Sequence, residues 1–115
     1  MKVIIAGTRT LDDPLLVDSA VYLSRYNISE VISGGCKGID QWGEVWAKKQ
    51  GIPIKIFQAD WDKYGRAAGP IRNALMAEYA NALILIWDGK SKGSLNMLCN
   101  ANKLGLKICN LNLGD

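Results

Sequence analysis

The chain has 115 residues, 49% of them hydrophobic, and a net charge of +3 from fourteen basic and eleven acidic side chains. That suits one globular domain, residues 1–115, around one core, and the charge is too mild to demand nucleic acid or an anionic membrane as partner. Histidine is absent, which removes histidine general bases and Ser-His or Cys-His nucleophile pairs and, with only scattered cysteines, argues against a zinc site.

Met1-Lys2 runs straight into Val3 to Ala6, an apolar run of strand length with no cleavage pattern, so no signal peptide is expected. This first strand ends at Gly7 and hands over to Thr8-Arg9-Thr10. Asp13-Pro14 reads as an N-cap with proline at the first helical position, and Leu15, Leu16, Ala20 and Leu23 carry a helical stripe to about Tyr26. Strand two, Val31-Ile32, leads into Ser33-Gly34-Gly35-Cys36-Lys37-Gly38-Ile39-Asp40. A second helix starts near Gly38, carries Trp42, Val45 and Trp46 towards Lys49, and stops at Gly51. Strand three is Pro53 to Phe57. The connection from Gln58 to Gly69 is long for a compact domain, and Trp61 and Tyr64 within it favour an ordered, functional loop. Helix three starts near Pro70 and carries Ile71, Leu75, Met76 and Tyr79. Strand four, Ala82 to Trp87, is the most apolar run. Helix four covers about Ser94 to Leu104, capped by Gly105, and strand five is Leu106 to Cys109. No apolar run approaches the roughly 20 residues of a membrane helix. Cys36, Cys99 and Cys109 have no metal-ligand spacing, and their odd number argues against a disulfide framework, so a reducing cytoplasm is the expected location.

Strands that alternate with helices predict an α/β fold: a parallel sheet of about five strands in the order 3-2-1-4-5, with helices on both faces. In that arrangement a crevice opens between strands one and four. The carboxyl ends of the strands then bring distant segments together. Strand one delivers Gly7, Thr8 and Arg9. Strand two delivers Ser33, Gly34, Gly35, Lys37 and Gly38. Strand three delivers Asp60, Trp61 and Arg66. Strand four delivers Asp88, Gly89, Lys90, Gly93 and Ser94. Backbone N–H groups, hydroxyls and a few fixed cations form the wall that a phosphate-bearing ligand needs.

Individual residues admit more than one reading. Arg9 suits a phosphate, or a salt bridge to Asp12 or Asp13. Asp40, in the first turn of helix two, suits the helix dipole or a ligand. Asp60 suits a ribose hydroxyl or a loop cap. Arg72, in the first turn of helix three beside Asn73, stands where a cation is disfavoured, which suggests an anionic partner. Lys90 and Lys92 flank a glycine-rich turn and can be solvated. Trp61 and Tyr64 suit a stacked base, or a loop packed on itself. Trp42 and Trp46 share one helix face and suit the core or a subunit interface, so a homodimer or larger assembly is expected. Cys36 lacks a histidine to activate it as a nucleophile.

The segments Ile5-Ala6-Gly7-Thr8-Arg9-Thr10, Val31 to Asp40, Ala59 to Gly65, Ala68-Gly69-Pro70-Ile71-Arg72-Asn73 and Trp87 to Ser94 stand in the order seen in the YspA-type branch of the SLOG superfamily (the Smf/DprA–LOG group), which the chain resembles over nearly its whole length. The resemblance implies a Rossmann-like domain of bacterial or phage type that binds a nucleotide or nucleotide derivative, often with a phosphoribosyl or ADP-ribose-like part. No catalytic residue, metal or further cofactor is implied. Lonely Guy-type phosphoribohydrolases in the same superfamily use an arginine comparable to Arg72 and a glutamate whose position here is Met97. A thioether cannot move a proton. The expectation is therefore a nucleotide-binding sensor or sequestering module, with a phosphoribohydrolase and a single-stranded nucleic-acid binder as the alternatives.

Overall fold

A computed structural model describes residues 1–114 of the chain. Strand β1 (Lys2–Gly7) leads to helix α1 (Pro14–Ser24), then β2 (Glu30–Ser33), α2 (Ile39–Gln50) and β3 (Ile54–Ile56). A short helix α3 (Trp61–Tyr64) and a single 3-10 turn (Gly65–Ala67) feed α4 (Ala68–Tyr79). Strand β4 (Ala82–Trp87), helix α5 (Lys92–Lys103) and strand β5 (Lys107–Asn112) follow. The sheet has five parallel strands in the order β3-β2-β1-β4-β5, as the sequence predicts.

The two faces of the sheet follow from the side-chain alternation of a strand. Ile4, Ala6, Ile32, Leu83 and Leu85 point to one face and pack under Met76 and Ala77 of α4 and Met97 and Ala101 of α5. Val3, Ile5, Val31, Ile84 and Ile86 point to the other, under Val17 and Ala20 of α1 and Ile39 and Ala47 of α2. Every residue of β4 is buried. A strand covered on both faces needs an unbroken apolar run, which is why β1 and β4 read so plainly in the sequence.

Three stretches differ from expectation, each for a physical reason. The loop from Gln58 to Gly69 contains helical turns. The Asp60 carboxylate caps α3 by accepting from the Lys63 N–H at 3.1 Å, and Gly65 ends it with φ 56°. Helix α4 starts at Ala68 rather than at Pro70; proline is tolerated there because the first-turn N–H groups have no intrahelical partner. Arg72 therefore lies beyond the first turn. Strand β5 runs on to Asn112, since on this edge strand polar Asn110 and Asn112 alternate with half-buried Leu111. Trp42 and Trp46 are partly buried against the α1/α2 core, and the Trp42 indole N–H donates to Asp12 Oδ1 at 2.7 Å. Both indoles thus find packing within their own chain.

Helix α2 crosses β1 closely at Gly43. A Cβ there would lie 2.8 Å from Ile5 Cγ2, and Ile5 is fully buried on a stiff central strand. Alanine normally gains about 1 kcal/mol over glycine inside a helix. Overpacking a closed core costs about 1–3 kcal/mol, so the clash should win. Gly43→Ala is expected to lower the urea midpoint; an unchanged or raised midpoint would contradict this packing.

Candidate functional site

The carboxyl edge of the sheet carries a cleft of about 410 Å³, within the size range of small-molecule sites. It lies where the strand order reverses between β1 and β4, the usual ligand position in open α/β sheets. Its walls come from four separate segments.

The end of β1 supplies the first wall. The Thr8 N–H donates to the Ile86 carbonyl at 3.1 Å, and Thr8 Oγ1 accepts from the Asp88 N–H at 3.1 Å. Gly7 permits this approach, because a Cβ there would collide with the Ile86 carbonyl oxygen. Arg9 follows with its side chain exposed at the mouth; its Nη2 is 3.7 Å from Cys36 Sγ.

The turn after β2 supplies the second. A Cβ on Gly34 would sit 2.9 Å from Asp40 Oδ2 and 3.2 Å from Arg72 Cζ. Glycine at this position therefore lets two charged side chains close over the backbone. Asp40 Oδ2 accepts from the Cys36 N–H at 3.2 Å. Asp40 is only 5% exposed, and burial pushes its carboxyl up to about 6, against the opposing pull of the Cys36 N–H and the Arg72 charge. Gly38, at φ 78°, serves chain packing: a Cβ there would lie 2.5 Å from the Arg9 carbonyl oxygen.

The third wall is α4. Arg72 is buried, with Nη1 donating to the Gly34 carbonyl at 2.9 Å and Nε donating to Asn73 Oδ1 at 3.1 Å. Asn73 Nδ2 in turn donates to Asn96 Oδ1 at 3.0 Å, tying α4 to α5. The fourth wall is the turn after β4. The Asp88 carboxylate accepts from the N–H groups of Lys90 and Ser91 at 2.9 and 2.8 Å, which holds it below the usual carboxylate range. Ser91 caps α5, accepting from the Ser94 N–H at 3.4 Å. A Cβ on Gly93 would meet open space.

Ten of the expected residues line this cleft: Gly7, Thr8, Arg9, Gly34, Asp40, Arg72, Asn73, Asp88, Gly93 and Ser94. The structure places Ser33, Gly35, Lys37, Gly38, Asp60, Gly89 and Lys90 outside its lining. Ser33 hydrogen bonds to Glu44 Oε2 at 2.6 Å and to the Gly35 N–H, so it braces the turn from behind. Trp61 lines a smaller neighbouring cleft. Sequence reasoning passed over Ser91, whose signal was its N-cap position. It also passed over Met76 and Ala6, which, like Met97, line the cleft as well as belonging to the core. Cys36 enters because Arg9 and Arg72 both reach its sulfur, each at 3.7 Å.

A parallel sheet with this order and a crevice at its carboxyl edge defines a single Rossmann-like α/β domain. The family model described as YAcAr (YspA, cpYpsA-related SLOG family) matches residues 1–64, and the chain belongs to that family. Membership supports a nucleotide-related binding or processing role. The chain is similar to the Gene 61 protein of Mycobacterium phage D29, with 29% identity over 124 residues, covering 99% of this chain and 97% of the relative. Among solved structures, DNA processing protein A (DprA) from Streptococcus pneumoniae shares the fold, with a TM-score of 0.74 at 19% identity over 93% of this chain. This chain matches 48% of that protein's length. No helix among the described residues is long and apolar enough to cross a membrane.

The Asp40 carboxyl gives a pH prediction. Its folded-state value of about 6 lies above the ordinary 3.8, so the native state holds the proton more tightly than the unfolded chain. Stability should fall as pH rises through that window and stay lowered above it, by up to about 3 kcal/mol. Asp40→Asn removes the buried charge and keeps an acceptor for the Cys36 N–H. The variant is expected to melt above wild type at pH 8, with the difference closing towards pH 4. A difference independent of pH would contradict the buried-charge assignment.

Proposed function

We propose that the protein binds a nucleotide or nucleotide-derived ligand, with a phosphoribosyl or ADP-ribose-like part, in the carboxyl-edge cleft, and acts as a sensor or sequestering module. The observation that carries this reading is the convergence of Arg9, Arg72 and the Ser91-capped start of α5 on one cleft at the topological switch point. Cations and helix N-terminal N–H groups recognise phosphate, and the Thr8 and Ser94 hydroxyls add neutral partners. Ala6, Met76 and Met97 add an apolar portion against which a sugar or base can rest.

Met97 also bears on turnover. It stands where the related hydrolases carry a glutamate, and it is 2% exposed among apolar neighbours. A thioether there gives no group for charge stabilisation or proton transfer at a glycosidic centre. One observation favours a second reading, as a nucleotide-cleaving enzyme: Asp40 lines the cleft with a carboxyl near 6, a value suited to acid–base work. Its Oδ2 is engaged by the Cys36 N–H and its side chain is nearly covered, which favours the binding role.

Calorimetry with a panel of nucleoside monophosphates, nicotinamide dinucleotide and ADP-ribose tests the reading. Arg9→Ala should weaken the bound nucleotide by about 1.5–3 kcal/mol, the scale of a charge-assisted hydrogen bond, and leave the melting temperature unchanged because the residue is exposed. Wild-type affinity in the variant would move the site elsewhere. Chromatography at near-equal protein and ligand concentrations should show intact ligand. Catalytic release of free base, abolished by Asp40→Asn, would establish the enzyme reading instead.

A further inference from the structure

A second cleft of about 260 Å³ adjoins the first, and the two share Arg9, Arg72, Asn73 and Gly93 as a common wall. Its own residues include Trp61, Arg66 and Lys92. The chemistry of the two clefts differs. Asp40 and Asp88 line the first, whereas no Asp or Glu among the described residues lines the second. Four cations, Arg9, Arg66, Arg72 and Lys92, therefore surround a space with no countercharge in its lining.

Trp61 gives that space an aromatic wall. Its indole is half exposed. It lies against Gly69: a Cβ built there would be 3.4 Å from Trp61 Cη2 and 4.0 Å from Arg72 Nη2. The bare backbone of α4 thus lets the indole settle close to the helix beside the buried guanidinium. Asp60 holds the helical turn that carries it. A half-exposed indole beside several cations is the combination that stacks a base and neutralises a phosphate.

We infer that this second cleft is a subsite for the distal half of a two-ring ligand: a base stacked on Trp61, with a linking phosphate held by Arg66 and Lys92. The inference rests on the proposed nucleotide site and names its ligand class, a molecule of two nucleoside units joined through phosphate. A mononucleotide would fill the first cleft alone.

The test compares four nucleoside monophosphates with the four matching symmetrical dinucleoside diphosphates, by calorimetry on the full chain. At least one dinucleoside diphosphate should bind wild type tenfold or more tighter than its matched monophosphate, on the order of one stacked base. Trp61→Ala and Arg66→Ala should each erase most of that advantage, with monophosphate affinity held within about twofold, and Trp61→Phe should retain much of it. Arg66 is exposed, so its variant tests the subsite without disturbing the core. If monophosphates bind and the paired compounds bind no tighter, the subsite is overturned and the nucleotide site stands. Equal losses for both ligand types, or an advantage that survives both alanine variants, would also overturn the subsite. If no compound of either kind binds wild type, the nucleotide site fails and the subsite with it.

Discussion

The pairing of β1 with β4 sets the position of both helical layers and of the cleft between them. Val3 to Gly7 run in parallel register with Ala82 to Ile86, and β4 is buried along its whole length. Beyond the last paired residues, the Thr8 N–H reaches the Ile86 carbonyl and the Asp88 N–H reaches the Thr8 hydroxyl. These two bonds prolong the pairing past the strands and fix the relative height of the two loops. The strand order reverses at this seam. Helices α1 and α2 cover one face, and α4 and α5 the other. The crevice is what remains between the two crossovers.

Across that crevice, Arg72 does for the side walls what Thr8 does for the seam. It spans from α4 to the Gly34 carbonyl of the β2 turn and orients the Asn73 amide, which reaches on to α5. Three segments distant in sequence are thereby held to one another by a single buried cation. Burying a charge is costly unless it is hydrogen-bonded, and this one meets a carbonyl, an amide oxygen and a sulfur. Asp40 beneath it is less well served, and burial raises its pKa. A buried, partly compensated pair at the base of a cleft is the kind of arrangement whose protonation responds to an arriving anion.

The fold was largely legible because β1 and β4 are covered on both faces and need unbroken apolar runs, and because Asp13-Pro14, Gly51 and Gly105 mark helix ends. What was hidden followed from local chemistry. Proline at the third position of α4 disguised a start at Ala68. On the edge strand β5, Asn110 accepts from the Trp87 indole N–H at 2.7 Å, a role its polarity gave no sign of. Residues that follow a strand closely, such as Thr8, Arg9, Gly34 and Asp88, line the cleft because a parallel sheet carries its strand ends to one edge. Gly35, Gly38 and Gly89 lie outside the cleft lining, and their positive φ angles serve the turns themselves. Met76 read as part of a helical stripe and Met97 only as the position of the hydrolase glutamate, since no pattern distinguishes an apolar side chain beneath a cleft from one beneath a helix.

The proposed ligand position is the β1–β4 seam under the start of α5. The most direct measurement is a heteronuclear NMR titration of the labelled protein with the tightest nucleotide found by calorimetry. Amide shifts should concentrate at Gly7 to Thr10, Gly34 to Cys36 and Lys92 to Leu95. Shifts centred on the opposite, amino-terminal edge of the sheet, or spread evenly over the surface, would contradict that position.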